Sequence, residues 1–334
     1  MPIPSAVRAA AAAREIVHRL PPLPTIGEIL RIYRLRALKQ LSQNFLLEPK
    51  LTNKIARAAG NLDNCCVLEI GPGPGSLTRS IISAGNIREL TVIERDARFI
   101  PVLNELKDAS DTLPFHIIND DILRTDLQGI FPEDTVRPWL SDELPPLHII
   151  ANLPFNIATP LLIKFLSHMS SKTDVFRFGR VQLTLMFQHE VAQRIIAVPG
   201  DRQRCRLSIM CQNYCDVKYA FPIRGTSFVP KPDVDAGVVI LTPRKEPAIT
   251  QPFKMVEKVV RTTFTMKRKP FVRALGYLFP RKGYERVHQE LIDRSRIDPQ
   301  KPTMLLELEE YRDLLCAYEK VCQEYPELDS FRYI

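Results

Sequence analysis

The chemistry in this chain concentrates at the ends of short apolar runs. Glu69, Ile70, Gly71, Pro72, Gly73, Pro74 and Gly75 fall between one such run and a helical pattern that starts near Ser76. Glycines at Gly71 and Gly73 let a ligand approach the backbone closely. Pro72 and Pro74 each remove an N–H that a phosphate cradle would use, so the loop suits a nucleoside cofactor without a pyrophosphate better than a dinucleotide. S-adenosylmethionine is such a ligand. The next run ends at Glu94, nineteen positions beyond Gly75, where an acid accepts hydrogen bonds from both ribose hydroxyls. The third ends at Asp120 and Asp121, where a carboxylate takes the adenine amino group. Either acid alone reads equally well as a solvated strand end or a helix cap. Recurrence at successive strand ends is what points to the cofactor.

The fourth run ends in Asn152, Leu153, Pro154 and Phe155. An adenine N6 lone pair is delocalised into the ring and attacks poorly until its two protons are drawn into hydrogen bonds. The Asn152 side-chain oxygen and the Leu153 carbonyl are suited to accept them. Pro154 stiffens the turn, and Phe155 stacks on a flipped base, a contact worth about 1–3 kcal/mol. These four are the expected catalytic residues. No general base is required, because the proton becomes acidic only after the methyl has moved.

These groups need a scaffold that brings strand ends together. Apolar runs at 67–70, 90–93, 115–118, 147–150 and 181–187 alternate with helical patterns, which predicts a doubly wound α/β sheet. An antiparallel pair at 217–222 and 237–242 closes it. Residues 26–40 read as one helix with a basic face of Arg31, Arg34, Arg36 and Lys39. Pro243, Pro247 and Pro252 mark a linker, and beyond it only helical patterns follow. The expected division is a leader at 1–20, a catalytic domain at 21–249 and a small all-α RNA-binding domain at 250–334.

Composition narrows the partners. Forty-six Lys and Arg against 38 Asp and Glu leave a formal charge of +8 over 334 residues, which favours a polyanion. Arg261, Lys267, Arg268, Lys269, Arg273, Arg281 and Lys282 crowd a stretch poor in acids and predict a phosphate-gripping patch. No apolar run is long enough to span a bilayer. The cysteines, Cys65, Cys66, Cys205, Cys211, Cys215, Cys316 and Cys322, lack a paired CxxC spacing, so no metal is expected. Arg8, Arg14 and Arg19 flank an alanine run, with Glu15 the one acid of the first twenty residues. That pattern suits a mitochondrial transit segment.

At these motifs the chain resembles the ribosomal RNA adenine dimethylase family, and its mitochondrial branch in particular. The similarity covers nearly everything after Leu20 and includes residues 39–46, the glycine loop, residues 152–155, 187–191 and 228–235. The resemblance implies that Gln43, Asn44 and Leu46 close over the cofactor from the N-terminal side, joining Gly71, Gly73, Glu94, Asp121, Ile122 and Asn152. Arg95 stands where the family often has Lys. Pro21, Pro22 and Pro24 look like the mitochondrial members, which implies the mitochondrial matrix. The implied reaction is N6,N6-dimethylation of adenines in mitochondrial small-subunit rRNA by a monomer. The mitochondrial transcription machinery is a second candidate partner. Two other readings stand beside this one: a non-catalytic nucleic-acid-binding or transcription factor, and an adenine methylase acting on another RNA or on DNA. Loss of Asn152, Glu94 or the glycines would favour the first; all are present.

Overall fold

The computed structural model describes residues 20–41, 43–280 and 282–331. The expected leader at 1–20, except Leu20, lies outside the described residues, as do Ser42, Arg281 and residues 332–334.

The strands are β1 (Phe45–Leu46), β2 (Cys66–Ile70), β3 (Glu89–Ile93), β4 (Phe115–Ile118), β5 (Leu147–Ala151), β6 (Gln182–Gln188), β7 (Cys215–Ile223), β8 (Phe228–Val229) and β9 (Ala236–Pro243). Seven of them form one sheet in the order β4-β3-β2-β5-β6-β9-β7. β4, β3, β2, β5 and β6 run parallel, whereas β9 is antiparallel to β6 and β7 to β9. The chain steps outward from β2 through β3 to β4 and then crosses back to β5. The order therefore reverses between β2 and β5, and the crevice at their carboxyl ends is where a ligand fits such a sheet.

Burial on both faces explains why these strands read as unbroken apolar runs. Val67, Val92, Ile150 and Met186 pack with Ile55, Ile81 and Leu103 on one side. Leu68, Ile93, Ile149 and Leu183 pack with Leu161 and Phe165 on the other. All five residues of β2 are buried. Helices Ser76–Ala84, Ile100–Asp108 and Phe155–Ser171 make the parallel crossovers. The second apolar cluster runs on without a break into the C-terminal helices, through Ile209, Met255, Val256, Leu291 and Tyr311. Described residues beyond Pro252 are helical or irregular, with helices Phe253–Thr263, Phe271–Leu275, Glu285–Ser295, Leu308–Glu324 and Glu327–Ser330.

Three local expectations change. The predicted helix over 26–40 is only Ile26–Ile32, started by a reciprocal Thr25–Glu28 capping box. Arg34 turns left-handed at φ 53°, and the Leu35 N–H closes on the Leu30 carbonyl at 2.8 Å. Leu35 is partly buried against the core, and Arg31, Arg34 and Arg36 share no helical face. The proline-rich stretch before Phe253, read as a linker, is pinned to the residues before it. Asn213 accepts from the Ile249 N–H at 2.7 Å and donates to the Ile249 carbonyl at 3.1 Å. Lys267, expected in the phosphate-gripping patch, donates to the carbonyls of Arg202 at 2.9 Å and Arg204 at 3.4 Å. It ties the helical region to the loop after His189–Ile196.

Candidate active site

A cleft opens at the carboxyl ends of β2, β3 and β5. Its wall includes Gln43, Asn44, Leu46, Gly71, Gly73, Glu94, Arg95, Asp121, Ile122, Asn152, Leu153, Pro154 and Phe155. Every residue expected to act in catalysis or hold the cofactor lies along this one cleft.

The floor is the turn from β2 into Ser76–Ala84. Gly73 and Gly75 hold φ of 54° and 86°, a backbone region that side chains disfavour. A Cβ on Gly73 would sit 3.5 Å from the Phe45 ring, and one on Gly75 would press to 3.1 Å of Leu106. The Gly73 N–H turns sideways and donates to Glu94 Oε2 at 2.9 Å. This loop is shaped for close approach of a ligand, with its amide spent on a carboxylate instead of a phosphate.

Glu94 lies just past β3 and is only 6% exposed. Its other oxygen accepts the Asp96 N–H at 2.8 Å. Burial pushes its pKa up, against the backbone donors of Asp96 and Gly73 that favour the charged form. Each oxygen keeps a further lone pair for a hydroxyl donor. Asn119 braces this strand end by donating to the Glu94 carbonyl at 2.7 Å.

The turn after β4 presents two acids in different states. Asp120 spends both oxygens locally, on the Asp121 N–H at 2.8 Å and the Thr125 hydroxyl at 2.9 Å. Asp121 accepts from the Leu123 N–H at 3.0 Å and pairs with Arg95 at 3.4 Å. Arg95 is mostly solvent-exposed, so this pair is weak. The Lys164 ammonium donates to the carbonyls of Ile122, Leu123 and Thr125 at 3.1, 3.2 and 3.1 Å and holds the turn from below.

Across the reversal point, β5 runs out into Asn152 and Leu153, and Pro154 caps helix Phe155–Ser171. The Asn152 carbonyl is 3.9 Å from where a Cβ on Gly71 would stand, so the two loops meet. Leu153 is buried at 2% exposure and fixes the turn. Among the described residues, no group hydrogen-bonds the Asn152 amide. Phe155 is half-buried against the core and Asn156 is exposed.

Sequence reasoning missed three lining residues. Glu69 is 1% exposed, and neither of its oxygens has a hydrogen-bonding partner among the described residues. Burial pushes its pKa up to about 8, moderated by the nearby Thr78 hydroxyl and reinforced by the Glu94 charge. Its signal was an acid inside an otherwise apolar, doubly buried strand. Phe45 and Phe228 form the rim, because β1 and β8 pair antiparallel as Phe45↔Val229 and Leu46↔Phe228. A pairing between segments so far apart leaves no local sequence signal. Gln43 lines the cleft, yet its amide is committed to protein groups, with Nε2 donating to Asp96 Oδ2 at 2.8 Å and Oε1 accepting the Leu38 N–H at 2.9 Å. Among the described residues there is no cluster of three or more His, Cys, Asp or Glu that could hold a metal, and no helix is long and apolar enough to cross a membrane.

Residues 34–315 match the model of the ribosomal RNA adenine dimethylase family. Dimethyladenosine transferase 1, mitochondrial, of Xenopus tropicalis is 48% identical over 316 residues, covering 95% of this chain and 90% of that protein. The Homo sapiens protein of that name is 47% identical over 324 residues, covering 97% of this chain and 93% of its own. Among solved structures, a dimethyladenosine transferase from Plasmodium falciparum superposes with a TM-score of 0.64 at 23% identity, covering 86% of this chain and 98% of that one. The 23S rRNA methyltransferase ErmE gives 0.56 at 22% identity, covering 83% and 100%. The fold is that of the S-adenosylmethionine-dependent methyltransferases, with a helical C-terminal region added. With the glycine loop, the strand-end acids and the Asn152 turn in one cleft, and with sequence likeness along nearly its whole length, this chain belongs to the ribosomal RNA adenine dimethylase family.

Proposed function

We propose that this chain dimethylates the N6 amino group of adenines in mitochondrial small-subunit rRNA, taking both methyl groups from S-adenosylmethionine. The observation that carries this reading is the meeting of the Asn152 turn with the glycine loop at Gly71. Nucleophile-orienting groups thus border the cofactor cleft directly. The names of the relatives, dimethyladenosine transferase 1 and mitochondrial, support both the reaction and the compartment.

The cleft fits the cofactor on its own evidence. Glu69 is a buried carboxyl without a hydrogen-bonding partner among the described residues, which suits the ammonium of an amino-acid tail. Glu94 offers two oxygens for ribose hydroxyls, Asp121 an acceptor for the adenine amino group, and Ile122 an apolar contact for the ring. Gly71, Gly73, Asn44, Leu46 and Arg95 complete the wall, with Gln43 acting through its neighbours. Bound S-adenosylmethionine supplies an electrophilic methyl on a sulfonium.

Everything else falls to this chain's own residues. The Asn152 oxygen and the Leu153 carbonyl accept the two N6 protons, localising the lone pair along the line of attack. Pro154 keeps the turn stiff, and Phe155 stacks on the flipped base. For the second transfer the nitrogen has one proton left, so one of those two acceptors gives up its bond while the first methyl finds room. Residues 250–334 grip folded RNA by its phosphates, through exposed Arg261, Arg268, Lys269 and Arg273 in place of Lys267. Residues 21–249 carry the chemistry, and residues 1–20 direct import into the matrix. The chain acts as a monomer.

Label from methyl-labelled cofactor is expected in small-subunit rRNA when the full chain is incubated with total mitochondrial RNA that lacks the modification. Label confined to large-subunit rRNA would overturn the substrate assignment.

A further inference from the structure

We infer that Asp96 is a positioning residue for the cofactor, a latch that holds the N-terminal strap of residues 36–46 shut across the ribose end of the cleft. The inference rests on reading that cleft as the S-adenosylmethionine site.

Asp96 is 6% exposed although it lies in the turn beside the exposed Arg95. Its carboxylate accepts four hydrogen bonds: from Gln43 Nε2 at 2.8 Å, the Arg98 N–H at 3.2 Å, Arg98 Nε at 2.9 Å and Arg98 Nη2 at 2.6 Å. Its own N–H donates to Glu94 Oε1 at 2.8 Å. One residue thus touches both the acid expected to hold the ribose and the strap expected to cover it. Burial works to raise the Asp96 pKa, but the Arg98 and Gln43 hydrogen bonds outweigh it and hold the carboxyl below its usual range.

The fastening extends along the strap. Arg98 Nη1 donates to the Arg36 carbonyl at 3.3 Å, and Gln43 Oε1 accepts the Leu38 N–H at 2.9 Å. Leu41, Gln43, Asn44, Phe45 and Leu46 all border the cleft, so the strap is a wall of it. At its far end the strap is held by β8, and Phe45 meets Phe99 edge-on with centroids 5.5 Å apart. Between Arg36 and Phe45 its described residues hold the short turn Lys39–Leu41 and no longer element. Opening at the Asp96 end breaks the Gln43 contact yet leaves Asp96 paired with Arg98. Such a hinge costs less than exposing an unpaired buried charge. Asp96 is therefore expected to govern how long the cofactor stays, with the methyl-transfer step left alone.

The test uses the full chain, S-adenosylmethionine and an rRNA hairpin. Asp96→Asn is expected to weaken cofactor binding by about tenfold, mostly through faster release, and to raise the cofactor KM in proportion. Turnover at saturating cofactor and the KM for RNA should stay within about twofold of wild type. Amide hydrogens of residues 36–46 should exchange faster in the variant. Arg98→Met should move the same readouts by less, and Arg98→Lys should recover part of the loss. A folded Asp96→Asn with unchanged release and exchange would overturn the latch, as would a fall in turnover at unchanged cofactor KM. If Asp96→Asn does not fold, Arg98→Met decides by the same readouts. Failure of the wild type to bind S-adenosylmethionine would instead overturn the cofactor reading, and the latch with it.

Discussion

The two halves of the cleft are finished to different degrees. Around β3 and the strap, Glu94, Asp96, Gln43 and Asp121 already hold defined hydrogen bonds to protein groups. At the end of β5, the Asn152 amide has no partner among the described residues and Asn156 faces solvent. In the proposed reading one half meets the same small ligand in every cycle, so it gains from being preorganised. The other must admit an adenine, then a methylated adenine, and release a dimethylated one. Open hydrogen-bonding capacity suits that traffic. Glu69 breaks the pattern, as an acid of the prearranged half left buried without a hydrogen-bonding partner among the described residues.

The largest effect should come from the open half. Asn152→Ala removes the acceptor needed most as the nitrogen becomes tetrahedral, and turnover should fall by about 10²-fold or more. Single-turnover kinetics on an rRNA hairpin reads this; a wild-type rate would show that the Asn152 turn does not orient the base. On the prearranged side, Glu94→Ala should weaken cofactor binding by about 1–3 kcal/mol, because two ribose hydroxyls lose their acceptor. Calorimetry with unchanged affinity would move the ribose elsewhere.

Glu69 sharpens the comparison through pH. Its folded pKa of about 8 stands above the ordinary value of 4.5, so across that interval the folded protein keeps a proton that the unfolded chain releases. The stability of the cofactor-free protein is therefore expected to fall as pH rises through that window. Glu94 shifts in the same direction, so the difference between wild type and Glu69→Gln isolates Glu69. Thermal melts of Glu69→Gln should be flatter with pH; parallel curves would place Glu69 in a different charge state. The smallest effect belongs to the helical region. Replacing Arg268 and Lys269 by Ser, with Lys267 kept for its structural ties, should weaken RNA binding and lower the salt slope by about 1 to 2. An unaltered slope would show that this face meets solvent only.

Legibility in the sequence follows the range of the interactions involved. The parallel strands were readable because burial on both faces demands unbroken apolar runs, and their ends fell within a residue or two of the expected positions. The cleft followed from them, since groups at successive strand ends must converge at the reversal point. What stayed hidden depends on contacts between distant segments. The helix at 26–32 ends early at a left-handed Arg34, with Leu35 packed against the core, and the β1–β8 pair joins residues nearly two hundred positions apart. Lys267 read as one of the phosphate-gripping cations, and only the fold brings the 202–204 carbonyls to it. Gln43 was assigned a place in the cleft from resemblance, but its tie to Asp96 is visible only in three dimensions.

The central claim is that one cleft delivers two methyl groups to the same adenine nitrogen. Nucleoside mass spectrometry of a small-subunit rRNA hairpin, sampled over time with the wild-type chain and S-adenosylmethionine, tests it directly. N6-methyladenosine should rise first and then convert to N6,N6-dimethyladenosine. Methyl groups found only on ribose, or on any base other than adenine, would contradict the account.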